Sequence, residues 1–371
     1  GIVPEPGRLV RCNIKPRVWS ACFALCSSLF VVLLLAACSA GKPTATPGPE
    51  GFIDLDLSQD GKLLAVGTNL GLHVYQVPSF QRLWSASTQH RVISVAFSPD
   101  GHKVAVKLDG SEKSPSEFAT HTVILWDART GERLQSWEED EICETGWAML
   151  AFSSDGTRLV SGQIKISIML VRDTATGERA YTIGQVSEGS LSGSGYVRWD
   201  VAWSPAGDRL AFGMIDHTVT IWDTVTGERL SVMEGNVRAA QSLAFSPDGT
   251  LLASEMDTGK VIVWQAETGK TLHVLELSSD ILPTSYSVAF NPDSTLLASG
   301  WSGGTLILWD VETGERMREL KGHTEKVVFG VAFAPDGDTL ISGTGSEIIM
   351  WDVRTGKQLY SVTNQPIVGF R

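Results

Sequence analysis

Residues 306–316 read LILWDVETGER, and the chain repeats this phrase with small changes. Close copies are LWDARTGE (125–132), IWDTVTGE (221–228), VWQAETGK (263–270) and MWDVRTGK (350–357). Two weaker copies have Arg172 (VRDTATGE, 171–178) or Tyr75 (VYQVPSF, 74–80) where the others have Trp. The seven anchor residues are 42 to 51 residues apart, which is the spacing of a repeat protein.

A second phrase precedes each copy of the first. Its seven forms are SQDG (58–61), SPDG (98–101), SSDG (153–156), SPAG (204–207), SPDG (246–249), NPDS (291–294) and APDG (334–337). Two phrases that keep the same order seven times define seven units.

The two phrases predict short strands joined by tight turns. Runs such as ISVAF (93–97) and LLASG (296–300) are apolar and β-branched, and turn residues bound them. In such turns Pro fits the first corner, Asp binds its own backbone and Gly accepts a positive φ. Helical periodicity never persists for a dozen residues. Each unit is therefore expected to be a four-stranded antiparallel meander.

A single sheet of this kind cannot bury both faces, so the units must stack. A Trp on the third strand of each unit is expected to fill the gap between neighbouring sheets. Radial stacking predicts an all-β fold, a seven-bladed β-propeller of four-stranded antiparallel blades over residues 52–371.

Units of this length that end in Trp-Asp resemble WD40 repeats. The resemblance spans residues 52–362 and rests on Trp126-Asp127, Trp222-Asp223, Trp309-Asp310 and Trp351-Asp352. The family's Gly-His pair occurs once in place, as Gly322-His323, and its turn Asp only as Asp216. Interior polar networks are therefore expected to be sparse, with stability resting more on apolar packing.

Residues 1–37 resemble a bacterial lipoprotein signal peptide. A basic flank precedes the apolar run VWSACFALCSSLFVVLLLAA (18–37), and Leu35-Ala36-Ala37-Cys38 matches the lipobox. The resemblance implies that cleavage leaves Cys38 first and that its thiol carries diacylglycerol. Acyl chains contribute about 0.8 kcal/mol per buried CH₂, enough to hold a domain on a bilayer. The alternative is an uncleaved membrane-spanning helix, because the run is long enough to span.

Both interpretations place the remainder outside the cytoplasm, lipid-anchored or helix-anchored in the bacterial cell envelope. Residues 38–51 are rich in Pro, Gly, Ala and Thr, which predicts a flexible linker. Removing residues 1–37 takes away four basic residues and one acid, changing the net charge from −12 to −15. A polybasic membrane patch is therefore not expected, and membrane attachment depends on Cys38.

Composition narrows the function further. A net charge of −12 argues against nucleic acid as a partner, because that binding needs Lys and Arg against phosphates. Four of the five cysteines lie within residues 1–38, so no disulfide framework is expected. The seven histidines show no metal-ligand spacing, and neither a metal nor a cofactor is predicted.

Alternating strand direction sorts the connections onto two faces. The tight turns emerge on one face, and the long insertions at 107–122, 138–146 and 184–195 emerge on the other. Variable loops on a rigid scaffold commonly carry binding chemistry. Aromatic side chains expected to anchor a partner at this face are Phe118, Trp147, Trp199, Tyr286, Trp301 and Phe329. The alternative for each is packing between blades.

Candidate chemistry is scarce, and no catalytic residue is predicted. GWSGG (300–304) matches G-x-S-x-G, but the hydrolase motif needs a strand followed by a helix, whereas strands flank it here. Asp54 and Asp200 occupy equivalent first-strand positions and can face the channel mouth as ligands of a cation. The alternative is that both carboxylates are simply solvated.

Two functions remain open. The first is a non-catalytic, membrane-tethered scaffold that binds other proteins through the insertion-bearing face. The second is an enzyme or small-ligand receptor that uses the central channel, for which Asp54 and Asp200 are the support. The sequence favours the first.

Overall fold

The computed structural model describes residues 51–88, 90–110, 121–139, 147–148, 150–163, 168–184, 198–214, 218–234, 240–256, 259–277, 285–325 and 327–363. The predicted signal peptide, Cys38 and the linker up to residue 50 lie outside these ranges. Within them no helix is long and apolar enough to cross a bilayer.

The described residues form seven four-stranded antiparallel sheets, each made of four consecutive strands in chain order. Blades 1 and 2 contain β1 (Phe52–Leu57), β2 (Leu63–Thr68), β3 (Gly71–Gln76), β4 (Gln81–Ser87), β5 (Val92–Phe97), β6 (Lys103–Leu108), β7 (His121–Asp127) and β8 (Arg133–Glu139). Blades 3 and 4 contain β10 (Leu150–Phe152), β11 (Arg158–Gln163), β12 (Ile168–Asp173), β13 (Arg179–Gly184), β15 (Val201–Trp203), β16 (Arg209–Gly213), β17 (Val219–Asp223) and β18 (Arg229–Met233).

Blades 5, 6 and 7 contain β19 (Ala240–Phe245), β20 (Leu251–Met256), β21 (Lys260–Gln265), β22 (Thr271–Glu276), β23 (Ser285–Phe290), β24 (Leu296–Trp301), β25 (Thr305–Asp310), β26 (Arg316–Lys321), β27 (Gly330–Phe333), β28 (Thr339–Gly343), β29 (Glu347–Asp352) and β30 (Gln358–Thr363). Two short strands, β9 (Trp147–Ala148) and β14 (Arg198–Trp199), pair in parallel just before the inner strands of blades 3 and 4.

The sheets form a closed ring around a central channel. The first strand of each blade contacts the first strand of the next, and β27 contacts β1. The predicted seven-bladed β-propeller is therefore confirmed.

The core is divided among the seven interfaces between blades. Each apolar cluster of buried residues combines two adjacent blades. The anchor residue of the repeated phrase packs against the preceding blade, as Trp264 does against Val219 and Ile221. This confirms the expected role of the Trp, which explains why the phrase recurs in every blade.

Blade 3 lacks the Trp and uses a different contact. The Arg172 guanidinium lies 5.7 Å from the ring centroid of Trp137 in blade 2. A guanidinium over an indole face gains a cation–π attraction. The substitution therefore keeps a planar group at this interface.

Blade 7 carries the most complete polar network around its Trp. Trp351 Nε1 donates to Ser342 Oγ at 2.8 Å, and that hydroxyl lies 2.7 Å from His323 Nε2. The Ser342 hydroxyl accepts from the indole, which can only donate, and so links Trp351 to a ring nitrogen of His323. Burial lowers the pKa of His323 to about 4, so the ring is neutral at pH 7.

Elsewhere these networks are reduced. Trp126 Nε1 and Trp264 Nε1 find no hydrogen-bond partner within the described ranges. Trp222 Nε1 uses Thr220 of its own strand, and Asp216 lies outside those ranges. Polar contacts of these three indoles are therefore fewer than those around Trp351, among the residues that the structure describes.

The tight turns have the predicted chemistry. Asp100 Oδ1 accepts from the backbone of His102 at 2.9 Å, and Gly101 has a φ of 67°. Six of the seven first-to-second-strand turns have Gly at this place, whereas blade 6 has Ser294 at a φ of 64°. Gly249 of blade 5 lies against Pro205 of blade 4, as the turns of neighbouring blades meet on one face. We call this face the turn face and the opposite one the loop face.

Within the described residues, blades 7 and 1 share no strand. Leu55 fills the space beside Gly330 and Gly343, where an added Cβ would come within 2.8 Å and 2.5 Å of its side chain. Phe80 and Tyr360 stack at 5.0 Å on the outer side. One backbone bond joins the blades at the loop face, from Phe52 N to the Gly345 carbonyl at 2.8 Å. The ring closes mainly by apolar packing.

Candidate functional site

The channel is lined by one repeated position on each inner strand, four residues before the SPDG-like phrase. We call it the channel position. Its occupants among the described residues are Asp54, Ser94, Asp200, Ser242, Ser287 and Gly330, while Met149 at the same place in the repeat of blade 3 lies outside the described residues. Three small hydroxyls, two carboxylates and a glycine give this ring a polar character.

Side chains at the channel position bind the next blade. Asp54 Oδ2 accepts from the backbone amide of Val95 at 2.9 Å, and Asp200 Oδ2 accepts from Leu243 at 2.8 Å. The serines make the same bond: Ser94 with Leu150 at 3.0 Å, Ser242 with Val288 at 3.2 Å and Ser287 with Val331 at 3.1 Å. Each bond satisfies an amide on the free edge of an inner strand, which would otherwise be exposed to the channel. We call these bonds inter-blade clasps.

The clasps change the interpretation of the two predicted aspartates. Asp54 is buried and Asp200 is partly buried, so neither is a freely solvated carboxylate. Asp200 Oδ1 also accepts from the amide of Val201 at 2.8 Å. Both residues line the channel, and both accept a backbone amide of the next blade there; their predicted role as cation ligands stays a prediction.

A third channel carboxylate, Asp56, was missed from the sequence. Its Oδ2 accepts from the amide of Phe97 at 2.7 Å, and Oδ1 accepts from Leu57 at 2.9 Å. Burial and the nearby Asp54 raise the pKa of Asp56 to about 7, against the opposing effect of these hydrogen bonds. The other six blades have alanine here: Ala96, Ala151, Ala202, Ala244, Ala289 and Ala332. An aspartate in blade 1 where every other blade has alanine is the sequence feature that could have identified Asp56.

The channel encloses a cavity of about 280 Å³. Its lining includes the three aspartates, Ser242, Ser287 and Phe329. Among the residues that the structure describes, no group of three His, Cys, Asp or Glu side chains is placed to hold a metal ion. Carboxylates that already accept backbone amides have fewer lone pairs left for a ligand. The geometry of the described channel fits a structural role.

The predicted aromatic anchors are distributed differently. Phe118 lies outside the described residues. Trp147 and Trp199 lie on the paired strands β9 and β14, where Trp147 is opposite Arg198 and Trp199 is opposite Ala148, and Tyr286 lies on β23. Phe329 is half-buried and lines the channel.

Trp301 was expected in a loop at the rim, and the structure instead places it at the end of β24 with 0% exposure. Its indole donates to Ser299 Oγ at 2.6 Å, and its ring tilts against Trp309. Trp301 therefore corresponds to the packing alternative. The following Ser302-Gly303-Gly304 forms the turn between β24 and β25, as predicted for GWSGG.

Residues near the start of two of the predicted insertions form a buried ion pair. The expected loop at 107–122 begins later than predicted, because β6 extends to Leu108 and β7 starts at His121. Lys107 Nζ lies 2.7 Å from Glu139 Oε2, and the residues are 1% and 3% exposed. Ser161 of blade 3 donates to the other carboxylate oxygen. Although burial opposes it, the attraction of Lys107 and the hydrogen bond from Ser161 lower the pKa of Glu139.

Comparison with known proteins agrees with the architecture. The family model described as WD domain, G-beta repeat matches residues 185–223, 269–310 and 314–352. The model of the anaphase-promoting complex subunit 4 WD40 domain matches residues 232–288.

Two similar proteins carry WD repeats in their names. An uncharacterized WD repeat-containing protein of Deinococcus radiodurans is 24% identical over 217 residues, covering 53% of this chain and 78% of that protein. A second, from Synechocystis, is 27% identical over 116 residues, covering 31% of this chain and 30% of that protein. WD40 propellers are typically non-catalytic modules that bind other proteins. Repeated phrase, blade geometry and matched segments agree: residues 185–223, 269–310 and 314–352 match WD40 repeats, and the described residues fold as a seven-bladed β-propeller.

Proposed function

We propose that this protein is a scaffold that binds other proteins outside the cytoplasm, tethered to a membrane of the bacterial envelope through lipid on Cys38. The observation that supports the binding role is the set of hydrogen bonds between the channel side chains and the backbone of the next blade. Asp54, Asp56 and Asp200 all accept backbone amides, which leaves the channel carboxylates in structural use. The surface of the ring is then the part available for recognition.

The rigid ring suits that role. Seven apolar clusters fix the blades against one another. The sequences that connect the strands at the loop face differ in length from blade to blade. Rigid display reduces the entropy lost when a partner binds. The tether is supported by the sequence of residues 18–38.

The test is crosslinking followed by pull-down from solubilised membranes. A protein recovered in stoichiometric amount supports the scaffold. Stabilisation by divalent cations or small molecules in a thermal shift screen, without any protein partner, would favour the channel receptor instead. The tether is tested separately: Cys38→Ser should release the chain from the membrane fraction and remove the acyl mass from the purified protein.

A further inference from the structure

A groove of about 500 Å³ runs between blades 4 and 5 on the turn face. Its apolar part is formed by Pro205, Ala206 and Leu251, and its carboxylates are Asp208, Asp248 and Glu267. A volume of this size accommodates one or two side chains of a bound segment. We call it the 4/5 groove.

The repeat departs from its own pattern around the 4/5 groove. Ala206 replaces the turn Asp of the other six blades, and Gln265 replaces the Asp that follows the Trp in most blades. One repeated position on the fourth strand normally reaches the next blade with a large side chain: Trp84, Gln135, Tyr181, His273, Arg318 or Tyr360. Blade 4 has Ser231, whose hydroxyl is 3.4 Å from the Ala266 carbonyl. Smaller side chains leave this interface more open at the surface.

An apolar strip lies on β22, which begins three residues after Thr268 of the groove lining. His273 and Leu275 face blade 6, since His273 contacts Gly314 and Leu275 joins the core of blades 5 and 6. Side chains alternate along a strand, so Leu272 and Val274 lie on the side of blade 4. They are 38% and 49% exposed. The residue equivalent to Val274 is polar in five other blades: Ser85, Ser136, Thr182, Glu319 and Ser361.

The groove walls carry negative charge at neutral pH. Although burial opposes it, hydrogen bonds from Ser246 and Thr250 keep the pKa of Asp248 below its usual range. Arg209 is the cation in the lining, and its Nε lies 3.9 Å from Asp208. Three carboxylates and one guanidinium leave a net charge of −2. The complementary ligand is therefore cationic.

We propose that the 4/5 groove and the Leu272–Val274 strip together bind a short polypeptide segment that carries Lys or Arg beside aliphatic residues. The aliphatic stem of a basic side chain lies on Pro205 and Ala206, and its charged end reaches the carboxylates. Neighbouring aliphatic side chains cover the Leu272–Val274 strip. This inference rests on the proposed function and names the chemistry of the partner.

The probe is a random dodecapeptide library displayed on phage and selected on the full chain. Enriched peptides should combine Lys or Arg with Val, Leu or Ile. In fluorescence anisotropy, Glu267→Lys should weaken binding of such a peptide about ten-fold, because attraction becomes repulsion. Leu272→Ser should weaken it several-fold, and added NaCl should weaken it further.

Matched variants control the measurement. Glu312 occupies the position of Glu267 in blade 6, and Leu359 occupies that of Leu272 in blade 7. Glu312→Lys and Leu359→Ser should leave the dissociation constant within two-fold. Enrichment of acidic or uncharged peptides, or equal weakening by both members of a pair, would overturn the proposal. Circular dichroism of each variant checks that the fold is retained.

Failure of this site is distinguishable from failure of the scaffold. If partners crosslink equally to wild type and Glu267→Lys, the 4/5 groove is not their site, while the scaffold function stands. If no protein crosslinks to wild type, the scaffold function itself fails.

Discussion

The Lys107 ammonium group lies 2.7 Å from the Glu139 carboxylate, with both side chains almost completely buried between blades 2 and 3. Five other blades have Gly at the position of Lys107: Gly67, Gly162, Gly213, Gly300 and Gly343. A charge in that place is tolerated only because its partner and Ser161 satisfy it.

Removing one member of this pair should destabilise the protein strongly. Lys107→Met leaves Glu139 buried without its counter-charge, and we expect the free energy of unfolding to fall by about 3–5 kcal/mol. The double variant Lys107→Met/Glu139→Leu should recover most of that loss, because neither buried charge remains. Urea unfolding measures both. Lys260→Met, at an exposed pair with Glu276, is the control and should change stability by no more than about 1 kcal/mol.

Asp56 should make stability depend on pH. Its pKa of about 7 in the folded state exceeds the ordinary 3.8, so the folded protein holds a proton that the unfolded chain releases. The resulting stabilisation is complete below pH 3.8 and is lost as pH rises through 7. Relative to Asp56→Asn, wild type should therefore be more stable at pH 5 than at pH 8 by roughly 1–3 kcal/mol. Urea unfolding at the two pH values measures this, and an equal difference at both would contradict it.

Ser294 has a φ of 64°, which glycine adopts without steric cost. Ser294→Gly should raise the free energy of unfolding by about 0.5–1 kcal/mol, because relief of backbone strain exceeds the loss of a 3.3 Å bond from the Asp248 amide. Thermal unfolding measures the change. The reverse substitution, Gly337→Ser in the equivalent turn of blade 7, should lower stability by a similar amount, since an added Cβ there meets no close contact.

The closing interface should be sensitive to one added methyl group. Gly330→Ala places a Cβ 2.8 Å from Leu55 Cγ, and overpacking of this kind costs about 1–3 kcal/mol. Leu55→Ala in the same chain should relieve the clash, because alanine lacks the Cγ and Cδ atoms of Leu55 that the added Cβ would meet. In a double-mutant cycle the two changes should be less destabilising together than the sum of each alone. Strict additivity would show that Leu55 does not fill this space.

The sequence predicts the blades well because their determinants are local. Turn phrases and a period of 42 to 51 residues specify strands, order and number. Once the sheets stack, the Trp of the repeated phrase can be buried only between two blades, so its packing was also predictable. The strands, their order and the burial of the Trp can all be predicted without knowing the contacts between particular blades.

The site was less predictable because it depends on contacts between blades. Asp54 and Asp200 align in the repeat, but their amide partners belong to the next blade, 41 and 43 residues away. Trp301 follows a strand phrase and resembles a loop aromatic, although pairing with Thr305 draws it inside. Lys107 was assigned to an insertion because a buried charge contradicts the apolar pattern of its strand. Its partner could be identified only from the fold.

Because each blade is made of four consecutive strands, a growing chain can finish one blade before it starts the next. Six of the seven interfaces then join segments that are neighbours in sequence, which keeps their loop-closure entropy small. The seventh joins the first and last blades across the full length of the domain. Assembly of the disc from one end to the other, with docking of Leu55 against Gly330 as the final event, is the order that this connectivity favours.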